Sequence, residues 1–268
     1  MKKILSQYSF GVGDRFAHQA KPQLKAMIKA KEAGCAITPV WNKSYREHEI
    51  IGSKSFTTKS AVDKAVADLN WDEPYFLDAD HINLKNVDFF IDPCDFYTID
   101  VADYIGRSID GKKQKIFYEK NKNFIGQLEF PGLDSIEVTP DLIQAVAEKY
   151  LYAIYEAKKI YDYIRSNLGA GGFVVEISMD ETDKPQTPDE LFFILAGISE
   201  LNIPINTIAP KFSGSFNKGV EYIGVVSLFK KEFEQDIPVI ELAKKEFGLN
   251  PDLKLSVHSG SDKFSIYP

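Results

Sequence analysis

The chain has 268 residues, 44% hydrophobic and 26% charged, an ordinary soluble composition for one large domain or two small ones. A formal net charge of -7 and a pI near 5.3, with Lys and Arg spread along the chain, exclude nucleic acid and an anionic membrane as main partners. The N-terminus lacks the apolar core of a signal peptide and no later segment could span a bilayer, so a cytoplasmic protein with Cys35 and Cys94 as small buried hydrophobes is expected.

Short strands alternate with amphipathic helices. A first strand is expected over Ile4 to Phe10, ending in Gly-Val-Gly-Asp-Arg15. A helix follows from about His18 to Ala33, with Leu24, Met27 and Ile28 on its apolar stripe and Gly34 as its stop. A second strand, Ala36 to Val40, runs into Trp41-Asn-Lys-Ser-Tyr-Arg46. The helix Ala61 to Leu69 leads to a third strand, Tyr75 to Asp80, and a fourth spans Phe96 to Val101. Between about Ile105 and Val138 the pattern breaks down, and this piece reads as an insertion forming a lid or a hairpin. Thr139-Pro-Asp caps a long helix that ends at Gly-Ala-Gly-Gly172. A fifth strand, Phe173 to Met179, precedes Thr187-Pro-Asp-Glu190, which has capping-box spacing. A sixth strand spans Ile205 to Ala209. Helical sequence from Gly219 is expected to break at Ile237-Pro238, and a seventh strand spans Leu253 to His258.

Alternating βα units imply a parallel sheet, doubly wound or closed into a barrel. Reactive residues at the ends of many different strands favour a TIM-type (β/α) barrel, a single domain over residues 1–268 with an insertion at 105–138. Only seven strands are legible, so either an early strand is hidden or the barrel is incomplete at its C-terminus.

Three strands and a set of cationic loop ends carry chemistry. Asp78, Asp80 and His81 close the third strand with acid, base and metal-ligand types, and alternation puts the two aspartates on one face. Glu176 lies inside the apolar fifth strand, where a carboxylate is either paired, with a lysine such as Lys211, or working; Ser178 and Asp180 share its side. On the seventh strand, His258 alternates onto the face of Lys254 and Ser256. His81 and His258 with a carboxylate would suit Zn, Mn, Co or Ni. The cationic loop ends Arg15, Lys43, Arg46, Lys211 and Lys263 would grip an anionic substrate if they converge, Arg forking onto a carboxylate, and are otherwise surface charges. His18 and His48 are open between a structural and a functional role, with the structural one preferred. There is no P-loop, no dinucleotide fingerprint and no Ser-His-Asp order.

Five motifs carry a resemblance. Phe10-Gly-Val-Gly-Asp-Arg-Phe16, Pro39-Val-Trp-Asn-Lys-Ser-Tyr-Arg-Glu-His48, Asp78-Ala-Asp-His-Ile-Asn83, Thr98-Ile-Asp-Val-Ala-Asp103 and His258-Ser-Gly-Ser-Asp-Lys-Phe-Ser265 resemble the tagaturonate epimerase family, from near the N-terminus to the last residues. The resemblance implies a metal-dependent, barrel-type enzyme that interconverts D-tagaturonate and D-fructuronate, or, in some members, the neutral ketohexoses tagatose and fructose. It implies Asp80 as proton acceptor, Glu176 as proton donor, and His81 and His258 as ligands of a divalent cation. Arg15, Lys43, Arg46, Lys211, Ser259 and Lys263 are then the substrate-binding set. Because the two sugars differ at C4 while the ketone is at C2, retro-aldol cleavage of C3–C4 and re-addition is the expected chemistry. Family chains run on past the last motif, whereas this one stops at Pro268; if it is a truncated form, the barrel lacks closure.

Overall fold

The computed structural model describes residues 5–169 and 171–268. Its contacts divide the chain into two compact units. One comprises the residues up to Ile99 together with Ile160–Glu176; the other comprises Asp100–Lys159 and Ile177–Pro268.

The first unit is a parallel α/β assembly. Its strands are β1 (Ser9–Gly13), β2 (Thr38–Ser44), β3 (Phe76–Ile82) and β4 (Phe96–Asp100, up to Ile99). They are adjacent in that order, with parallel registers such as Gly11↔Val40 and Asn42↔Asp78. The helices between them are α1 (Ala20–Glu32), α2 (Tyr45–Ile51) and α3 (Ser55–Asp68). The expected stripe of α1 is present: Leu24 and Met27 are buried and Ile28 packs against the same cluster, which also holds Val12, Trp41, Val62, Ala65 and Leu77. Alternation sends Phe76 the other way from Leu77. Phe76 packs with Leu5, Val40, Phe96 and Val174 into a separate apolar layer on the opposite face of the strands. Burying each large side chain there contributes about 1.5–3 kcal/mol. Both faces of these strands are therefore covered, as parallel strands require.

The first two strands differ from expectation in where they begin and end. The first strand was expected over Ile4 to Phe10, but β1 begins at Ser9 and continues through Gly-Val-Gly; Ile4 lies outside the described residues. The glycines are structural here. A Cβ on Gly11 or Gly13 would come within 3.3 or 3.1 Å of the Asn42 amide, so their smallness lets β1 lie beside that side chain. β2 likewise extends four residues beyond Val40, to Ser44. The motif after it is then not loop but α2, whose N-cap Ser44 accepts from the Glu47 N–H while the Glu47 carboxylate accepts from the Ser44 N–H. That is the Ser-x-x-Glu capping box, legible in the sequence but not read there. Cys35, expected buried, is exposed at the end of α1, and Cys94 is partly buried.

The second unit opens with α4 (Gly111–Asn121), capped by the Asp110 carboxylate accepting from the Lys112 N–H, and the antiparallel hairpin of β5 (Gly126–Leu128) and β6 (Ile136–Val138). The segment 105–138 thus holds a helix and a hairpin. Helix α5 (Pro140–Leu168) lies in this unit as far as Lys159, and its last turns belong to the first. Strand β7 (Val174–Ser178) also changes unit, after Glu176. In the first unit the Val174 N–H donates to the Asp95 carbonyl beside β4. In the second, the Met179 N–H donates to the Ala209 carbonyl of β8 (Thr207–Ala209).

Helix α6 (Pro188–Glu200) is capped as expected, with the Thr187 N–H donating to Glu190, and buries every residue from Leu191 to Ile198. A helix apolar all round belongs inside. It packs against α7 (Val226–Phe247), and its Phe192 joins Phe124 and Phe247 in an aromatic group with centroids 4.8–5.6 Å apart. The expected break at Ile237-Pro238 does not occur: α7 runs through it. Proline costs a helix roughly 3 kcal/mol, but buried Val239, Ile240 and Ala243 beyond it keep the next turns docked. The seventh strand is correspondingly shorter than expected. β9 (Lys254–Leu255) pairs with β8, one further bond runs from the Ser256 N–H to the Ile208 carbonyl, and His258 sits in a turn. Among the described residues no helix is long and apolar enough to cross a membrane.

Asp236, on α7, is 4% exposed, and burial followed by the nearby Glu232 charge pushes its carboxyl up to about 8. The folded chain keeps a proton that the unfolded chain releases above 3.8, so stability falls as pH rises between these values, by roughly 1.4 kcal/mol per unit. Asp236→Asn is expected to match the wild type near pH 4 and to exceed it by a growing margin up to pH 8, read as Tm by calorimetry. A gap independent of pH would contradict this.

Candidate functional site

The chemistry-bearing residues of the first unit follow from one alternation. On β3 the face of Phe76 is also the face of Asp78 and Asp80. On β2 it carries Val40 and Asn42, on β4 Phe96 and Thr98, and on β7 Val174 and Glu176. Above the apolar layer therefore comes a polar one. Asp78, Thr98 and Glu176 are 7%, 0% and 3% exposed, and the Thr98 hydroxyl lies 3.0 and 3.1 Å from the two Asp78 oxygens and 3.3 Å from Glu176 Oε1. Asp80 follows one step further along β3 and is also buried.

His81 does not end the strand, as the sequence suggested, but interrupts its ladder. Opposite β4, Ala79 pairs with Tyr97 and the next pair is Ile82 with Ile99, three residues advanced against two. The extra residue is a β-bulge, and His81 takes φ +52° within it. Left-handed backbone is costly for a residue with a Cβ and persists where the surroundings hold it. Simple alternation would put His81 on the face opposite Asp80. The bulge re-aims it, so that Nε2 lies 3.7 Å from Asp80 Oδ1. A carboxylate and an imidazole are thereby presented together.

The other face of β2 holds a separate network. Lys43 shares it with Trp41, is 2% exposed, and donates to Ser53 Oγ at 3.0 Å. Ser53 Oγ is 2.8 Å from His48 Nδ1, and the His48 ring packs edge-on against Phe89. With Lys43 donating to the hydroxyl, the serine's own hydrogen goes to an unprotonated Nδ1. Burial, reinforced by the Lys43 charge, lowers the imidazole to about 4, and burial also lowers the Lys43 ammonium against the pull of Glu47 and Asp14. His48 is thus a packed, neutral histidine, the structural reading. His18 is exposed beside Phe16. Arg15 is exposed, 3.8 Å from Glu47, and Arg46 is exposed on the first turn of α2.

In the second unit, His258 Nδ1 lies 3.2 Å from Asp180 Oδ1, and the Ser178 hydroxyl donates to the same carboxylate oxygen. A carboxylate on one ring nitrogen is the arrangement that orients metal-binding histidines. The sequence placed Ser178 and Asp180 beside Glu176 but not with His258, because the distance spans 78 positions of chain. Ser259, next in the turn, takes φ +50°. Lys263 is fully buried; its ammonium donates to the Asn217 carbonyl at 3.0 Å and to the Asp262 carboxylate. Lys211 is half-buried and its N–H donates to the Gln186 side chain. Thr98 was missed as a site residue. Its signal was its place on β4, alternating between Phe96 and Asp100.

Comparisons with known proteins agree with this arrangement of strands. The model of the family described as UxaE, tagaturonate epimerase, matches residues 2–268. A tagaturonate/fructuronate epimerase of Thermotoga maritima is 27% identical over 279 aligned residues, covering 97% of this chain and 54% of that protein. Crystal structures of the fructuronate-tagaturonate epimerase UxaE from Cohnella laeviribosi, one with one glycerol and one with two, are 25% identical. They superpose with TM-scores of 0.77 and 0.78 and cover all of this chain and 54% and 55% of theirs. The chain spans about half the length of the relatives it matches.

The neutral His48 gives a pH signature. Its folded value lies below the unfolded 6.5, so the unfolded chain takes up a proton first and stability falls as pH drops from 6.5 to about 4. His48→Gln is expected to flatten that limb of the denaturation midpoint against pH. In the wild type the His48 ring resonances, followed by NMR, should stay those of a neutral imidazole at pH 5.5.

Proposed function

This chain belongs to the tagaturonate epimerase family, and on that premise we propose that it interconverts D-tagaturonate and D-fructuronate by inverting C4. The observation that carries the reading is the β3 bulge, which sets Asp80 and His81 side by side at the end of a strand whose polar face also holds Asp78 and leads to Glu176. A (β/α) barrel is the architecture proposed for the family's complete fold, since the parallel βα order here is the order such barrels use.

The reading extends to a divalent cation, with His81 and His258 as its ligands. The donor chemistry fits: both are imidazoles, His258 is oriented through Nδ1 by Asp180, and His81 is held in a conformation that local sterics disfavour. Such a cation supplies Lewis-acid polarisation of the C2 carbonyl.

The residues of the chain manage the protons. Asp80 takes the proton from the C4 hydroxyl as the C3–C4 bond breaks, giving a C4 aldehyde and a three-carbon fragment. The aldehyde turns over and the bond re-forms on its other face. Glu176 then gives a proton to the C4 oxygen. After one turnover Asp80 holds the proton that Glu176 lost, and solvent resets the pair. The guanidinium groups of Arg15 and Arg46 suit the C6 carboxylate, which they can fork. Lys211 and Ser259 complete the proposed substrate set. Lys43 and Lys263 are each buried on partners of their own, Ser53 for the first and Asn217 with Asp262 for the second.

The test is epimerisation of D-fructuronate by metal-stripped protein, with and without added Mn or Zn, followed by chromatography. Metal-dependent tagaturonate is expected, with Asp80→Asn and Glu176→Gln each lowering kcat by about 10²–10⁴-fold. Triose-sized products would instead identify an aldolase that releases its fragments. Binding of fructuronate without turnover would identify a sugar-acid-binding protein. Solvent deuterium appearing at C4 would replace the retro-aldol step with direct proton transfer.

A further inference from the structure

The turn that follows β8 is held by side chains from outside it. Gln186, itself buried, accepts from the Lys211 N–H at 2.8 Å. Two residues on, the Glu232 carboxylate of α7 spans Ser213, accepting from its N–H at 2.7 Å and from its hydroxyl at 2.5 Å. The Tyr222 hydroxyl donates to the Ser213 carbonyl at 2.8 Å. Both backbone groups of Ser213 are thus satisfied by side chains rather than by a strand ladder. Gly214 takes φ +91° beneath Tyr222, and a Cβ there would come within 2.5 Å of the ring, so the turn and the ring fit only with glycine. Phe212 is buried in the cluster of Tyr222 and Phe229. Between these anchors Lys211 is half-buried, and no carboxylate among the described residues pairs with its ammonium. Loops at the carboxyl ends of parallel strands are where (β/α) enzymes carry their substrate contacts.

We propose that Glu232 and Tyr222 are positioning residues that clasp the turn after β8, so that Lys211 meets an oxygen of the anionic substrate with its backbone already ordered. This deepens the substrate-binding role proposed for Lys211 and rests on it; the clasp itself does not depend on the substrate. Ordering a loop when the ligand arrives opposes binding, and a loop fixed beforehand avoids that loss. The charge that Lys211 meets is present in the ground state and the transition state alike, so its bond is uniform binding and is expressed in KM. Glu232 and Tyr222 act through Lys211 and touch no substrate themselves.

The test pairs kinetics on D-fructuronate with amide hydrogen exchange of the substrate-free protein, both on the full chain. Lys211→Met is expected to raise KM about tenfold with kcat unchanged, and Glu232→Leu to raise it by a similar factor. Glu232→Gln, which keeps one acceptor oxygen, and Tyr222→Phe, which keeps the ring, should each raise it less. The double variant Lys211→Met with Glu232→Leu should match Lys211→Met alone, because a residue acting through Lys211 adds nothing once the lysine is gone. Additive increases in KM, or a Glu232→Leu effect confined to kcat, would overturn the proposal. The Ser213 amide should be protected in the wild type and in Lys211→Met and exchange about tenfold faster in Glu232→Leu. Equal exchange in all three would remove the clasp. If fructuronate binds without turnover, the same comparisons on its dissociation constant decide the proposal, and the epimerase reading alone is lost. If it neither binds nor reacts while the Ser213 amide is protected, the clasp stands and the role of Lys211 is overturned.

Discussion

Desolvation of carboxylates on one face of parallel strands is the constraint from which most of the first unit follows. Asp78, Asp80 and Glu176 have been taken almost wholly out of water, at a cost of several kcal/mol each unless hydrogen bonds, a proton or a cation offset it. The layer beneath is apolar and gives no help, but it fixes position: Phe76 and Phe96 meet edge to face at 6.4 Å, and the strands carrying them cannot slip by one residue without turning the acids toward the helices. The polar layer is therefore held rigidly, and its members answer to one another. Thr98 bridges two of them, and the bulge delivers His81 to the third.

The opposite face of the same strands solves its own charge problem differently. Lys43 and His48 are buried there too, and they share one serine rather than a substrate. An unprotonated imidazole beside an ammonium avoids two like charges in one pocket. That network ties the end of β2 to the C-terminal cap of α2, where Gly52 takes a left-handed conformation and the Ser53 N–H returns to the His48 carbonyl. It anchors α2, whose first turn carries Arg46. In the second unit the pairing of Asp180 with His258 plays the matching part for an imidazole in a turn, where no strand fixes the ring.

Family membership adds what geometry cannot, a reaction to propose, and the geometry adds what membership cannot, the contacts of residues beyond the proposed reacting pair. Thr98 and Asp180 touch residues proposed as proton donor and metal ligand, and enter only through their contacts. Relatives are about twice as long as this chain. The activity of the whole protein is accordingly proposed for this chain, and tested directly by turnover.

The sequence by itself determined the alternation of strands and helices, the stripe of α1, the caps of α5 and α6, and the placement of Asp78, Asp80 and Glu176 on polar strand faces, because each of these depends on neighbours a few residues away. It also carried the five motifs by which the family was recognised. Only the tertiary structure decided the rest. Pro238 stays helical because α7 is docked on either side of it, which propensity cannot register. Gly11 and Gly13 belong to a strand because Asn42 lies against them. Lys43 and Lys263 read as substrate cations in one dimension and prove to be buried on Ser53, Asn217 and Asp262. His81 faces Asp80 through a bulge that exists only in the pairing of β3 with β4. Local pattern fixes which face a residue starts on; register and packing between distant segments fix which groups it finally meets.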